Sequence, residues 1–460
     1  MIDAKKIVAM AENLGAESSD VIISKTDTSG SFIERNIVTN VLSGVSEGYG
    51  IRVISNRRIG FVSGNDFSKS AVEKAIKMAI SISKRGKKVP RGFEFSSSNK
   101  KTDVKKTFDK KISEASEDDV VSFSNDFIKN MGDANIPLAR IRFMKTEYNI
   151  SNSSGADISD KGTFLVLYAN TLKKSGEKMI EYEILEKTRM LDMMNLDRIC
   201  SEARMHIKKS MNTKAVKTQK IPVIFSPKVL TELLITTFGE ALCSKSVLLK
   251  NSPFSDKINK KIASEKFSLT DDGTLDAGLS TFGVDHEGVR TKKTVLINKG
   301  ILKNFLYDAI DAARAGKKST GNGRRGSWIY DDLFYLEPSA QASNLVVAPG
   351  TIGIDEIIKD TRKGLFVDKV SWPRGSACSG MFSLELRTAY MIENGELTKP
   401  VRWGSVIGSI YDAINEIEIG KEVESRAPYP TGFIESVVTP HIKFEQLDVV
   451  SKNRLQCNVS

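Results

Sequence analysis

The stretch "IPVIFSPKVLTELLITTFGEALCS", from Ile221 to Ser244, decides the fold of the C-terminal half. It opens with a short apolar strand. Ser226 followed by Pro227 is then typical of an N-cap and the first position of a helix. The apolar residues that follow repeat at helical spacing and predict one buried face: Leu230, Leu234, Phe238 and Ala241.

Most of the sequence after this helix has the pattern of β-hairpins. "TVLINKGILKNFLYD" turns between Asn298 and Gly300, and "AYMIENGELTKPV" turns at the Asn394-Gly395 pair. An Asn-Gly pair between apolar runs is a strong hairpin signal because both residues accept a positive φ. The C-terminal half is therefore predicted to be β-rich and built around one long helix.

The N-terminal half repeats a strands-then-helix theme. "DVIISK", "NIVTNVLSG", "GYGIRVIS" and "RIGFVSGN" read as short strands, and a helix with a periodic apolar stripe follows: Val72, Ala75, Ile76 and Ala79. The theme recurs with a helix, the strands "TFLVLYAN" and "MIEYEILEKTRML", and a helix carrying Ile199, Ala203 and Ile207. We predict an α+β protein whose N-terminal region has two α/β lobes.

Composition shifts give the expected domain boundaries, since polar and basic stretches separate the periodic segments. The basic stretch before residue 221 is taken as the main boundary. The segments are residues 1–85 (first lobe), 86–110 (polar linker), 111–207 (second lobe), 208–220 (basic linker), 221–451 (β-rich domain) and 452–460 (tail).

The composition is that of a globular protein, with 460 residues of which 40% are apolar and 27% charged. No apolar run approaches the length of a membrane-spanning helix, and the N-terminus lacks the apolar centre of a signal peptide. Four widely spaced cysteines form no CxxC pair: Cys200, Cys243, Cys378 and Cys457. We therefore expect a cytoplasmic protein with neither disulfides nor membrane association.

The formal net charge of +11 makes an acidic partner such as nucleic acid worth considering. The basic residues, however, cluster in apparent loops such as "GKKSTGNGRRGS", starting at Gly316. These loops lack the interleaved aromatic residues on which single-stranded bases stack. Solvent-facing lysine-rich loops explain the charge better, and nucleic acid is not the expected partner.

Three motifs, in this order along the chain, resemble the C-terminal domain of the TldD/PmbA family. They are "TDDGTLDAGLSTFGVDHEGVRTKKTVLINKGILKNFLYD" (Thr270–Asp308), "KKSTGNGRR" (Lys317–Arg325) and "SGMFSLELRTAYMIENGELTKPVR" (Ser379–Arg402). The N-terminal "GYGIRVISNRRIGFVSGND" and the "NSSG" from Asn152 fit the family more loosely. The resemblance covers nearly the whole chain.

The family has a catalytic branch, TldD, that resembles a zinc peptidase, and a partner branch called TldE or PmbA. In the catalytic branch the long helix carries HExxxH, and a cysteine nearer the C-terminus completes the metal set. That motif falls here on Gly239 to Ser244, so both histidine positions are lost and only Glu240 matches; residues 421–450 contain no cysteine. The resemblance thus implies the metal-free TldE/PmbA-like branch, with zinc held by a separate partner subunit.

The residues lead to the same expectation without the family. Zinc needs three or four Cys, His or carboxylate donors, and this chain has only His206, His286 and His441. Cys200 and His206 lie six residues apart and face different directions on a helix. We predict no catalytic residue and no metal or other cofactor in this chain, with Gly239, Glu240 and Ser244 marking a degenerate metallopeptidase motif.

Other motifs have a simpler structural explanation than a catalytic one. "GSACSG" at Gly375 suggests a nucleophile at Cys378 or Ser379, but a strand-like segment follows where a nucleophile elbow needs a helix. "AGKKSTGNG" at Ala315 resembles a phosphate loop, but Asp311 replaces its first glycine. Four carboxylates near Gly273 and Gly288 are explained as turn residues: Asp271, Asp272, Asp285 and Glu287.

The expected function follows from the resemblance. It is that of a noncatalytic subunit of a TldD/TldE-type zinc-dependent peptidase, which encloses and positions unfolded or leader peptides for a TldD-like catalytic chain. A homodimer is expected when that chain is absent. The alternatives are a stand-alone homodimer that binds peptide or another ligand without hydrolysis and, third, a nucleic-acid-associated protein, as in the family's description as a modulator of DNA gyrase.

Overall fold

The computed structural model describes residues 3–175, 178–210, 213–326, 332–371, 375–428 and 435–451, without the side chains of residues 175, 178 and 179. Cys457 and the predicted tail lie outside the described residues. The chain forms an N-terminal half around one sheet and a C-terminal half around another, and the fold is α+β as predicted.

The N-terminal half contains an antiparallel sheet of six strands in the order β3-β2-β1-β4-β5-β6. Its strands are β1 (Ser18–Glu34), β2 (Ile37–Ser55), β3 (Arg58–Gly64), β4 (Asn135–Asn152), β5 (Asp157–Ser175) and β6 (Lys178–Thr188). Its helices are α1 (Ala4–Asn13), α2 (Lys69–Ser83), α3 (Lys110–Ser113), α4 (Glu117–Met131) and α5 (Leu196–Ser210). The two predicted lobes share this one sheet, because β1 pairs with β4 along most of its length.

Strand β2 joins two segments that the sequence predicts as separate strands. "NIVTNVLSG" and "GYGIRVIS" form one strand of 19 residues that pairs with β1 throughout. The residues between them, Val45, Ser46 and Glu47, are exposed or half-buried, so they resemble a break in the apolar pattern. Pairing with β1 keeps them in the strand, since the ladder satisfies their backbone groups.

Side chains alternate across the six-stranded sheet, so its two faces pack against different partners. On β4, Ile141 and Phe143 join the core beneath α4 and α5, whereas Met144 and Tyr148 face the C-terminal half. The predicted apolar stripe of α2 is buried, as are Ile199, Ala203 and Ile207 of α5. The helices therefore cover one face, and loops of the C-terminal half cover much of the other.

The segment predicted as a polar linker lies along the C-terminal half as an extended strap. The Thr102 amide donates to the Gly283 carbonyl at 2.9 Å, and its hydroxyl donates to the Thr291 carbonyl at 2.7 Å. Further along, Ala277 donates to the Lys105 carbonyl. These bonds join the two halves, because the strap connects α2 with α3 of the N-terminal half while it contacts loops of the C-terminal half.

The C-terminal half contains a mixed sheet of twelve strands among the described residues. Its main path runs β11-β10-β9-β14-β20-β8-β15-β16-β17-β7, with β18 and β19 pairing beside it. The strands are β7 (Lys214–Ala215), β8 (Gln219–Phe225), β9 (Leu269–Asp272), β10 (Lys293–Asn298), β11 (Ile301–Leu302), β12 (Gly323–Arg324), β13 (Ser339–Ala340), β14 (Asn344–Val347), β15 (Lys363–Ser371), β16 (Met381–Glu393), β17 (Glu396–Arg402), β18 (Gly404–Ser409), β19 (Ile417–Arg426) and β20 (Ser436–Ser451); β12 and β13 form a separate pair.

The helices of this half are α6 (Pro227–Leu234), α7 (Ser244–Leu248), α8 (Ala309–Arg314), α9 (Ile354–Lys359) and α10 (Ile410–Ala413). Ser226 is the N-cap of α6, and Pro227 occupies its first turn, as predicted. All four residues of the predicted apolar stripe are fully buried in the core of this half.

Both predicted hairpin turns are confirmed, with positive φ at Lys299, Gly300, Asn394 and Gly395. Among the described residues, no helix has the length and apolar character needed to cross a membrane.

Candidate functional site

The end of the helix that begins at Pro227 positions the degenerate motif. After α6 the backbone widens into a π-helical segment, Ile235–Gly239, and returns to α-helix at Glu240 and Ala241. π-Segments of this kind inside helices occur frequently at functional sites. The C-terminal end of this helix is therefore a candidate site.

Ser244 does not lie on that helix, so our expectation of one continuous helix through the motif is wrong at this position. Cys243 has extended backbone, and Ser244 is the first residue of α7. The amide of Ser244 donates to the Leu306 carbonyl at 2.8 Å, and the amide of Leu306 donates to the Leu242 carbonyl at 2.9 Å. This short parallel bridge draws the chain out of the helix.

Gly239 and Ser244 are both buried, but their surroundings differ. A Cβ atom added at Gly239 would lie 3.5 Å from the Leu345 side chain, an ordinary contact distance. The Ser244 hydroxyl donates to the Asp311 carboxylate at 2.9 Å, and Arg314 contacts the same carboxylate at 2.8 Å. Ser244 therefore helps to join α7 to α8.

Glu240 is exposed at the end of the helix, close to a second carboxyl group that the sequence pattern did not reveal. Burial, and then the negative charge of Glu240, raise the pKa of Glu435 to about 7. The Cys243 thiol is buried nearby and donates to the Gly239 carbonyl at 3.0 Å; burial raises its pKa well above the ordinary value. The site thus contains an exposed carboxylate, a carboxyl group that is easily protonated and an inert thiol.

A buried polar network lies behind these carboxyl groups. Asp271 accepts hydrogen bonds from Asn322 at 2.8 Å and from the amide and hydroxyl of Ser343 at 2.5 and 2.7 Å. Arg324 is fully buried; it donates to the Ser280 carbonyl at 2.8 Å, and burial lowers its pKa. Within the described part of the chain its Nε and Nη1 atoms have no hydrogen-bond partner. Residues of two resemblance motifs, "TDDG" and "STGNGRR", therefore meet here.

The turn explanation for the carboxylate cluster holds for Asp272 and Asp285. Asp272 accepts from the Thr274 amide at 2.9 Å, and Asp285 accepts from the amides of Glu287, Val289 and Gly323 at 2.9 Å each. It does not hold for Asp271, which lies in a strand and joins the network above. Nor does it hold for Glu287, which pairs with Arg52 of the N-terminal half at 3.0 Å.

The three histidines lie in separate parts of the molecule. His206 contacts the hydroxyls of Thr388 and Ser210, and burial lowers its pKa to about 3. His286 packs against Tyr148, and its Nδ1 accepts from the Arg325 amide at 2.8 Å. His441 stacks on Phe366. Each imidazole thus has its own packing environment.

The nucleophile and phosphate-loop candidates lack the required local structure. Cys378 and Ser379 are exposed in a turn that leads into strand β16 rather than a helix, and the Gly375 amide ties this turn to Thr236 at 3.0 Å. The loop after α8 leads into β12, whereas a phosphate loop leads into a helix. Asp311 lies within α8 and serves Ser244 and Arg314.

Comparison with known proteins agrees with this architecture. The model of the PmbA/TldA metallopeptidase C-terminal domain matches residues 218–451, and the model of domain 1 matches residues 19–83. The chain belongs to the TldD/PmbA family.

Relatives match the chain along nearly its full length. It is similar to an uncharacterized protein of Methanocaldococcus jannaschii, with 28% identity over 435 residues that cover 92% of this chain and 96% of the relative. It is similar to a "zinc metalloprotease TldD homolog" of Saccharolobus solfataricus, with 26% identity over 459 residues, 96% of this chain and 99% of that protein. The crystal structure of TldE from Thermococcus kodakarensis has the same fold, with a TM-score of 0.85 at 23% identity over 97% of this chain and 99% of that one.

The metallopeptidase description of the TldD/PmbA family raises the question of zinc. Of the three motif positions only Glu240 carries a zinc donor, since Gly239 has no side chain and the Ser244 hydroxyl is bound to Asp311. Among the described residues, no three His, Cys, Asp or Glu side chains are grouped so that they could hold a metal ion. The residues at these positions do not fit a zinc centre.

Proposed function

We propose that this chain is the noncatalytic, cytoplasmic TldE/PmbA-like subunit of a TldD/TldE-type zinc-dependent peptidase that acts on unfolded or leader peptides. The observation that carries the proposal is the donor set at the end of the helix, where Gly239 and Ser244 stand at the two histidine positions. The catalytic zinc is supplied by a separate TldD-like chain. This chain encloses the substrate and positions it near that metal.

One edge of β2 supports the peptide-binding part of the proposal. Strand β3 pairs only with Tyr49–Ser55 of β2, so residues 37–48 lack a strand partner on that side within the described part of the chain. An extended peptide can add to such an edge through main-chain hydrogen bonds, which select for extension more than for side-chain identity. A broad range of unfolded substrates follows from this mode of binding.

Metal content tests the proposal most directly. We expect the purified protein to contain less than about 0.1 zinc per chain and to show no peptidase activity alone, because the donor set lacks both imidazoles. Elemental analysis after gel filtration, together with a peptide-cleavage assay, measures both quantities. A TldD-like chain prepared in parallel is the positive control. About one tightly held zinc per chain would contradict the proposal.

Glu240 provides a second test, because it retains the position of the general base. A base must reach a water that a metal polarises, and the two histidine positions of the motif beside this carboxylate are occupied by Gly239 and Ser244. We expect Glu240→Gln to change cleavage by the reconstituted two-chain complex by less than about threefold, or about 0.65 kcal/mol of barrier. The matched control is Glu265→Gln, which alters another exposed carboxylate of the same half. A thousandfold loss with assembly intact would place this chain in the chemistry.

A further inference from the structure

A second feature, separate from the degenerate motif, is a cavity of about 390 Å³ between the two halves of the molecule. Its walls come from β6 and α5 on one side and from α6, β15 and β16 on the other. The volume lies in the range of cavities that bind small molecules. Apolar side chains form part of the wall, including Leu172, Ile184 and Val370.

Several charged groups of this cavity are paired with one another, and the carboxylates Glu181 and Glu232 also line it. Glu202 contacts Arg198 at 2.8 Å and Lys228 at 3.2 Å, and Glu186 contacts Arg426 at 2.5 Å. Carboxylates that are paired in this way do not strongly repel an incoming anion, since each is already compensated by a cation.

Arg387 differs from the other cations of the cavity. Its Nη2 donates to the Ser371 hydroxyl at 3.0 Å, and within the described residues no carboxylate lies at ion-pair distance from it. A guanidinium offers five N–H donors in a planar fork that matches a carboxylate. The remaining donors of this half-buried group are available to a ligand.

Lys369 lines the same cavity. Its ammonium lies 4.7 Å from the centre of the Tyr182 ring and 3.9 Å from the Glu183 carboxylate, and it also donates to the Glu183 carbonyl. Burial lowers its pKa to about 8, although the nearby carboxylates of Glu183, Asp368 and Glu232 act in the opposite direction. A further negative charge placed next to this ammonium would stabilise its protonated form.

We propose that this cavity binds a carboxylate group attached to an apolar body, with Arg387 as the bidentate anchor and Lys369 as the second cationic contact. Either a free organic acid or the C-terminus of a peptide can supply that group, because both present the same carboxylate. The site is formed by this chain alone and does not depend on a catalytic partner.

Calorimetric titration of the full chain with three probes tests the proposal: hexanoate, N-acetyl-Leu-Leu with a free carboxylate, and the C-terminal amide of the same peptide. We expect at least one acid to bind and the amide to bind at least about tenfold more weakly (about 1.4 kcal/mol). Binding of the peptide acid alone identifies a peptide terminus as the ligand, and binding of hexanoate identifies a free acid. Failure of both acids to bind at about 10 mM would overturn the proposal.

Variants locate the binding on the proposed anchor. Arg387→Met is expected to weaken binding at least about tenfold, whereas Arg91→Met, which alters an exposed arginine, should leave it unchanged. Equal binding by folded Arg387→Met protein would overturn the assignment.

Acetylation of the wild-type protein gives an independent measurement. The bound acid should slow acetylation of Lys369 but not of exposed Lys5. Unchanged labelling of Lys369 at saturating acid would also overturn it.

Discussion

Cleavage of an unfolded peptide is expected to appear only when this chain is mixed with a TldD-like catalytic chain. The mixture should cleave at least about a hundredfold faster than either chain alone, a difference of about 2.7 kcal/mol in barrier. The proposed function supplies the physical reason: the TldD-like chain would provide the zinc and the activated water, and this chain would enclose the substrate and hold it in an extended form.

Assembly should accompany that activity. Stable dimers typically bury upward of about 1,200 Å² in total, and homologous chains can use similar surfaces for self-pairing and cross-pairing. We expect a dimer of this chain alone, which converts to a one-to-one complex when the catalytic chain is added. Light scattering coupled to sizing measures the change, and cleavage is measured on the same samples.

The outcome separates the candidate functions. A mixture with a catalytic chain whose HExxxH histidines are replaced is the control, and it should assemble without cleaving. If the two wild-type chains stay separate, and the catalytic chain is equally active alone, the stand-alone homodimeric binding protein replaces the partner subunit. Tight DNA binding that weakens steeply with salt would instead favour the nucleic-acid-associated alternative.

Local patterns in the sequence predict much of the C-terminal fold. Pro227 marks the start of the helix, and the Asn394-Gly395 pair marks a hairpin, because each residue type is required by a local backbone conformation. The break at Cys243 is different. It depends on backbone pairing with Leu306, a partner distant in sequence, so the helical stripe gives no sign of it.

The same limit applies to the candidate site. The sequence identifies Glu240 through its place in a motif, but Glu435 lies just before β20 and approaches Glu240 only in the folded chain. Likewise, Asn322 and Asp271 belong to separate motifs that the fold joins by a hydrogen bond. Periodicity describes one element at a time, so it cannot predict pairs of this kind.

Arg52 gives one sign of such a long-range contact. It is a charged residue within the apolar run "GIRVIS" of β2, and its side chain is only 1% exposed. Its guanidinium donates to Asp20 at 2.6 and 3.1 Å and to Glu287 of the C-terminal half at 3.0 Å. Arg325 also donates to Asp20, at 2.9 Å. Two arginines and two carboxylates thus connect the two halves.

Arg52→Met is expected to lower the free energy of unfolding by about 3–5 kcal/mol, because buried Glu287 loses its arginine partner and buried Asp20 keeps only Arg325. Denaturant titration of the full chain measures the loss.

The matched control is Arg198→Met. Arg198 also contacts carboxylates, but its side chain is 42% exposed, so its loss should cost less than about 1 kcal/mol. Adding Glu287→Gln to Arg52→Met should recover part of the stability, since it removes one of the stranded charges. Equal losses for Arg52→Met and Arg198→Met would show that the buried network does not hold the halves together, and docking would then rest on the strap and on the apolar contacts around Tyr148.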